Sequence, residues 1–568
     1  MNFPHLMAGA VLLFALSSCG GGSGDKPTSI PVPPAPDTTN TSLKNLRFSQ
    51  SFTNDATSLS GAWDTVTGTA VKGDAEADKV SVSYNADTKT YTVGAGTSST
   101  FGEQDIVEQD DLDTRYDRKT EGGSEQFTLL GPTDVQTVDP QYVAIAFLQR
   151  NAVIDKMQNV EFSTFTYGLP AAAAMVPRSG EAAFDTDVFG LVTKPGEEPA
   201  TFRGLGAFSV DFAEGVFTTT TPITQFGLVT GREVSGGGIE LVASGRLTSG
   251  TNGFSGPASL GSPYGLASGT IAGRFYGPSA QELGASFQAN GPDGMAAVGS
   301  LVGVKDSRLT AENQTLTNLK REQLFYLRGG GSVGSINVLN SQTFVFSAPS
   351  SDMLSGRFSV NDKIASKDAN FTTYAKTGDA GYGVQDVVLE LYRPGAANNE
   401  VALTYASFGH WSGKSETENK DYYFVYGFQT ANNLLTARTG RAQYSGVAYG
   451  TGVNADASRR YAMEGTSSFN IDFSRQNFGG QLALKGTEHA TGSSTDFGRY
   501  DIDGALYSTA SFLSGDISNG ANPLGTFEGY FFGSDAQELA GTFYFVAPAG
   551  TAEALDVGIS GATVAKRN

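Results

Sequence analysis

Cross-links are the first thing this chain lacks. Its 568 residues hold a single cysteine, Cys19, so no disulfide can brace a core that forms downstream. Histidine is nearly as scarce, with His5, His410 and His489 the only three. No histidine cluster offers a zinc or iron site, and lone histidines serve more often in cores and on surfaces than in catalysis. Positive charge is in deficit: 38 Lys and Arg face 58 Asp and Glu, a net −20. The phosphates of nucleic acid would be repelled, which argues against such a partner. Long Ala/Leu/Glu/Lys segments of helical period are scarce as well. What the chain does have is glycine, 72 residues, and aromatics at 11%. That profile suits an all-β protein with many tight turns.

Signals for chemistry are poor. Gly330-Gly331-Ser332-Val333-Gly334 fits the G-x-S-x-G elbow, which needs a strand before and a helix after. Strand-like sequence follows instead (Ile336-Asn337-Val338-Leu339, then Thr343-Phe344-Val345-Phe346), so a glycine-rich turn is expected. The acidic stretch Glu103, Asp105, Glu108, Asp110, Asp111 and Asp113 could hold calcium or be a solvated loop. It lacks the Asp-x-Asp-x-Asp-Gly order and distal Glu of an EF-hand, which favours the loop. No phosphate-binding glycine pattern opens a helix. The expectation is a non-enzyme without catalytic residues, metal site or cofactor.

The amino terminus carries a different message. Residues 1–18 contain no Asp, Glu, Lys or Arg, and their apolar run is too short to span a bilayer. This reads as a signal peptide. Leu16-Ser17-Ser18-Cys19 resembles the bacterial lipobox, in which the cysteine thiol is diacylated, the peptide is cut before it and the new amine is acylated; Cys19 is therefore the expected lipidation site. Residues 19–45 read as a tether, glycine-rich then proline-rich. Roughly 25 residues at up to ~3 Å each could hold the body tens of ångströms from a membrane.

The body is organised around a stretch that occurs twice. GTIAGRFYGPSAQELGASF (residues 269–287) and GTFEGYFFGSDAQELAGTF (residues 525–543) match at ten of 19 positions, 256 residues apart. Each copy reads as a β-hairpin, with a turn at Gly-Pro-Ser or Gly-Ser-Asp and a second arm beginning near Ala285 and Gly541. Further anchors keep the same order: Phe165-Thr166-Tyr167-Gly168 with Phe424-Val425-Tyr426-Gly427, and Phe208-Ser209-Val210-Asp211-Phe212 with Phe469-Asn470-Ile471-Asp472-Phe473. Two related lobes follow.

The run Gly-x-Phe-Tyr-Gly-Pro-x-Ala-Gln-Glu-Leu-Gly, with a last strand Val302-Gly303-Val304-Lys305, resembles the signature of transferrin-binding-protein-B-type surface lipoproteins. In the second lobe Val564-Ala565-Lys566 stands where Val-x-Val-Lys would. The resemblance implies an all-β chain of two lobes, each a β-rich handle domain followed by an eight-stranded antiparallel barrel. The implied limits are a first handle at residues 46–140 and barrel at 141–305, opened by Tyr142-Val143-Ala144-Ile145-Ala146-Phe147. An inter-lobe linker would take residues 306–323, then a second handle 324–398 and barrel 399–568. Residues 307–323, with Leu309, Leu316 and Leu319 at rough helical spacing, are the one expected helix.

In function, the resemblance implies an outer-membrane, cell-surface lipoprotein, attached by its lipid anchor only. It would bind an iron- or haem-carrier protein, or a related ligand, and pass it to a TonB-dependent outer-membrane transporter. The amino-terminal lobe would make the main contacts. No single ligand-binding residue carries over. A structural or adhesive surface lipoprotein is the alternative.

Overall fold

The computed structural model describes residues 39–110, 113–131, 139–236, 239–329, 332–339, 343–347, 356–358, 360–379, 385–414, 419–436, 438–520 and 522–568. The expected signal peptide, Cys19 and most of the tether lie outside these. Residues 40–568 form one compact unit. Strands take up 65% of residues and helix 5%, so the expected all-β class holds.

The first sheet contains β1 (Gln50–Asp64), β2 (Ala70–Asp78), β3 (Val80–Asn85), β4 (Thr90–Ala95) and β5 (Thr97–Phe101). It is completed by β6 (Ile106–Gln109), β7 (Asp113–Thr120), β8 (Gly123–Leu130), β9 (Val143–Ile154) and β10 (Met157–Gly168). Their order is β5-β4-β3-β1-β10-β9-β8-β7-β6, and β2 hangs off β1. The first closed barrel follows in chain order: β11 (Glu181–Thr193), β12 (Ala200–Asp211), β13 (Val216–Gly227), β14 (Glu240–Leu247), β15 (Gly253–Ser262), β16 (Gly265–Tyr276), β17 (Glu282–Asn290) and β18 (Ala296–Lys305).

The second lobe repeats the plan. Its sheet holds β19 (Gln323–Gly329), β20 (Ser332–Leu339), β21 (Thr343–Ser347), β22 (Gly356–Phe358), β23 (Lys363–Ile364), β24 (Phe371–Asp379), β25 (Gln385–Tyr392), β26 (Ala406–Lys414) and β27 (Asn419–Gly427). Their order is β22-β21-β20-β19-β27-β26-β25-β24-β23. A short helix α1 (Asn432–Thr436) leads to the second closed barrel. Its strands are β28 (Arg441–Asn454), β29 (Arg460–Asp472), β30 (Asn477–Glu488), β31 (Ser494–Tyr507), β32 (Phe512–Ser518), β33 (Pro523–Phe532), β34 (Glu538–Ala547) and β35 (Val557–Arg567).

Two expectations need correcting. Tyr142-Val143-Ala144-Ile145-Ala146-Phe147 does not open the first barrel, because β9 and β10 pair with β8 and β1 in the sheet. The same holds for β26 and β27. The repeat covers sheet and barrel alike, so it carries no mark of the boundary between them. The expected helix at residues 307–323 is an extended strap with one 3-10 turn, Leu316–Asn318. Its polar groups find partners on the first barrel and, through Asn313, on Lys320 and Arg321 within the strap. Glu312 N donates to Ser209 Oγ (3.2 Å), Gln314 Nε2 to Ser209 O (3.3 Å) and Asn318 Nδ2 to Asp211 Oδ2 (2.7 Å). With backbone groups satisfied by Ser209, by Thr404 and by the Asn313 side chain, the segment gains little from a helix.

The repeated hairpins pair as the sequence suggests, β16 with β17 and β33 with β34. Their second arms begin earlier than expected, at Glu282 and Glu538. Those two glutamates do the joining. Glu282 accepts from the amides of Gln141 (2.8 Å), Tyr142 (2.7 Å) and Val143 (3.1 Å). Glu538 accepts from Thr404 (2.7 Å), Tyr405 (2.8 Å) and Ala406 (2.8 Å). Each carboxylate thus bolts the edge of a barrel to the strand that enters the sheet. Burial pushes both carboxyls above the usual glutamate value, and the three amide donors pull the other way. The final strand β35 pairs with both β34 and β28 despite its departure from the Val-x-Val-Lys pattern.

The barrel interiors are solid. Phe184, Phe202, Phe208, Phe217, Phe254, Phe275 and Phe287 are buried inside the first, where Phe208 stacks on Phe217 at 4.9 Å. Side chains fill an eight-stranded barrel of this kind, so it is a core and not a pore.

Candidate functional sites

Two places stand out, one on each lobe. On the first, three neighbouring tips carry exposed apolar side chains. The β1–β2 tip presents Val66 (71% exposed) and Val71, the β9–β10 tip Val153 and Ile154 (62%), and the loop after β13 Leu228 and Val229 (68%). Thr65 N donates to Lys156 O at 2.9 Å, tying the first two tips together. Gly68 stands against Val229, whose Cγ2 would lie 3.4 Å from a Cβ placed there. Glu198 pins the third tip by accepting from Thr230 N at 2.6 Å. Clustered apolar exposure of this kind makes the tips a candidate contact surface.

On the second lobe a cleft of about 700 Å³ opens between sheet and barrel. It contains both histidines of the body, His410 on β26 and His489 just after β30. His410 Nδ1 lies 3.1 Å from Glu390 Oε2, and Nε2 lies 2.8 Å from Asp421 Oδ1. The ring also stacks on Tyr423 at 4.3 Å. A carboxylate thus lies within hydrogen-bond reach of each ring nitrogen, which fixes the orientation of the imidazole. Asp421 in turn pairs with Arg460 of the barrel, so the chain Glu390–His410–Asp421–Arg460 crosses from sheet to barrel. The hydrogen bond from His410 holds the Glu390 carboxyl below the usual value, against the opposing effect of burial. Desolvation lowers His489 first, helped by Arg460, Lys367 and His410. Tyr449 Oη donates to Glu400 at 2.9 Å and closes one end.

The first lobe supplies a control for this cleft. The amides that bind Glu282 and Glu538 set the correspondence, Val143 with Ala406. Counting along β9 and β26 places Phe147 opposite His410. Phe147 pairs with Thr164 and His410 with Tyr423, which places Phe162 opposite Asp421. In the first lobe Phe147, Phe162 and Phe189 form one aromatic cluster, with Phe147 5.3 Å from Phe189 and 5.2 Å from Phe162. Strand β2 packs Ala70 and Ala75 against it. A smaller pocket of about 160 Å³ lies beside Phe189 and Arg203. Among the described residues the second sheet has no counterpart of β2.

The sites weighed from sequence fall elsewhere. Cys19 is outside the described residues, as are Gly330 and Gly331. Ser332 opens β20, a strand, so no strand-to-helix elbow forms there. In the acidic stretch, Asp105 accepts from Gly102 N (2.9 Å) and Glu108 pairs with Arg115 (2.8 Å), while Asp111 is outside the described residues. Among the described residues no group of three or more His, Cys, Asp or Glu could hold a metal.

Residues 436–567 match the family model described as the C-lobe and N-lobe β-barrels of Tf-binding protein B. The span is that of the second barrel, and the first barrel repeats its closing hairpin. This is a transferrin-binding-protein-B-like bilobed protein. Solved structures similar to it include isotype 1 transferrin binding protein B from serogroup B Neisseria meningitidis, at 18% identity. That match covers 76% of this chain and 86% of that one, with a TM-score of 0.26. A double mutant of transferrin binding protein B from Haemophilus parasuis Hp5 is 12% identical over 94% and 98%, TM-score 0.27. The N-lobe domain of lactoferrin binding protein B of Moraxella bovis is 16% identical over 33% and 80%, TM-score 0.21. No curated protein matches. What makes this protein transferrin-binding-protein-B-like is thus its barrel sequence.

Proposed function

We propose that this protein is a cell-surface lipoprotein receptor of the outer membrane. It binds an iron- or haem-carrier protein, or a related ligand, and passes it to a TonB-dependent outer-membrane transporter. The observation that carries the reading is the match of the second barrel to the Tf-binding family model. The relatives' names, transferrin binding and lactoferrin binding, give the ligand class. Cys19 is the lipid anchor, and residues 19–45 lift the body from the membrane. Apart from that anchor the protein does not enter the bilayer and performs no catalysis. The exposed tips around Val66, Ile154 and Val229 suit capture of a protein by the first lobe, because desolvating them is favourable at about 25 cal/mol per Å².

The test is capture from serum, and on haem-agarose, by the full chain, with the retained protein identified by mass spectrometry. An iron- or haem-carrier protein should be retained, and I154D together with V229D should abolish capture. Retention of no such protein from either source would overturn the receptor reading. Capture unchanged in the double variant would move the site off these tips.

A further inference from the structure

We infer that the cleft between sheet and barrel in the second lobe binds a small organic anion with a flat, apolar body. The inference rests on the internal comparison and not on the receptor reading above. Two copies of one architecture lie in one chain. In the first, Phe147, Phe162 and strand β2 fill the seam. In the second, His410 and Asp421 take the places of the two phenylalanines, and about 700 Å³ stays open. A stable fold does not require this opening, because the first lobe closes it with ordinary aromatic packing.

The charges in the cleft indicate the sign of the occupant. Its carboxylates are committed. Glu390 and Asp421 hold His410, and Asp421 also holds Arg460. Asp368 accepts from Asn370 N at 2.8 Å, and Asp386 from Gly378 N at 3.0 Å. The lysines make no direct ion pair, although Lys367 is near enough to Glu390 to favour its charged form. Lys367 and Lys414 both line the cleft, and neither has a carboxylate within ion-pair reach among the described residues. A charge-assisted bond to a carboxylate, sulfonate or phosphate is what they can still make. The net charge of −20 opposes an anion at long range, but salt screens that field beyond about 8 Å at physiological strength. The walls supply the apolar partner. Tyr423 and Tyr449 are half-buried, and Ile364, Val388 and Ala462 also line the cleft. Half-exposed rings beside unpaired ammonium groups favour a flat ring system bearing an acid.

The probe is 8-anilinonaphthalene-1-sulfonate, titrated into the full chain by fluorescence and by calorimetry. One saturable site per chain is expected. N-phenyl-1-naphthylamine, the same rings without the sulfonate, should bind at least about tenfold more weakly, as should the sulfonate probe to K367Q. A462W, on the outer face of β29, should abolish binding by filling the cleft, while its melting curve stays that of the parent chain. Should that variant misfold, Lys414→Gln read alongside K367Q keeps the charge argument testable. Absence of a saturable site up to about 1 mM probe would overturn the inference. So would equal affinity for the uncharged analogue, or unchanged binding in A462W and K367Q.

Discussion

At the scale of single residues, Glu282 and Glu538 explain why the hairpin motif holds a glutamate after Ala-Gln in both lobes. Each carboxylate satisfies three main-chain amides in a site that is 1–2% exposed. A buried donor left without a partner costs about 1–3 kcal/mol. Replacing Glu538 by Ala strands three of them, so E538A should lose about 3 kcal/mol or more of second-lobe stability. E538Q, which keeps one acceptor oxygen, should lose less. Thermal and urea unfolding check both, and equal losses would assign the effect to charge instead of to the amides. Glu390 gives a pH prediction. Its folded value lies below the ordinary 4.5. A depressed carboxyl contributes stability that is present above the unfolded value and disappears as pH falls through the folded one. Melting of the second lobe should therefore fall with acid below 4.5. E390Q should flatten that part of the profile, as differential scanning calorimetry across the range would read. A slope unchanged in E390Q would place the acid-sensitive group elsewhere.

At the scale of elements, the hairpin turns make a specific demand on the backbone. Gly277 and Gly533 adopt φ of 81° and 86°. A Cβ at Gly533 would lie 2.7 Å from the Tyr405 ring and 2.3 Å from Gln537 Oε1. G533A should cost about 1–3 kcal/mol by the strain of its backbone alone, read as a lower melting temperature of the second lobe. These hairpins were legible in the sequence because turn chemistry and alternation agree with each other and recur. Other elements were not. The assignment of β9 and β26 to barrels failed because a strand's own sequence does not say which neighbour it pairs with. The strap at residues 307–323 has leucines at helical spacing, but Leu316 and Leu319 pack on the second sheet's core while Leu309 is exposed. Its conformation is set in part by Ser209, Asp211 and Glu181, each more than a hundred residues away in sequence. The cleft was illegible for the same reason. His410 looked like a lone histidine, and its relation to Phe147 emerges only from strand register.

At the scale of the whole molecule, each lobe closes its own barrel around its own core, so each should fold without the other. The outer face of β29 shows Ala462, Glu464, Thr466, Ser468 and Asn470 to solvent. A barrel spanning lipid needs an apolar band there. Residues 40–568 should thus be recovered without detergent, and recovery in a folded form only in micelles would overturn that expectation. Where the chain is cut between lobes matters. The strap is built into the first barrel through Ser209 and Asp211, and Arg321 ends it by pairing with Glu181. Its bonds to the second lobe are fewer: Leu316 N donates to Thr404 O at 2.8 Å. A fragment of residues 40–322 should therefore be more stable than one of residues 40–305, by about 1–3 kcal/mol, the worth of a few part-buried hydrogen bonds and one half-exposed ion pair. Both should melt cooperatively, as should residues 323–568. Equal melting of the two first-lobe fragments would mean that the strap merely lies on the barrel. A broad, non-cooperative transition in either lobe alone would mean that the lobes fold as one body.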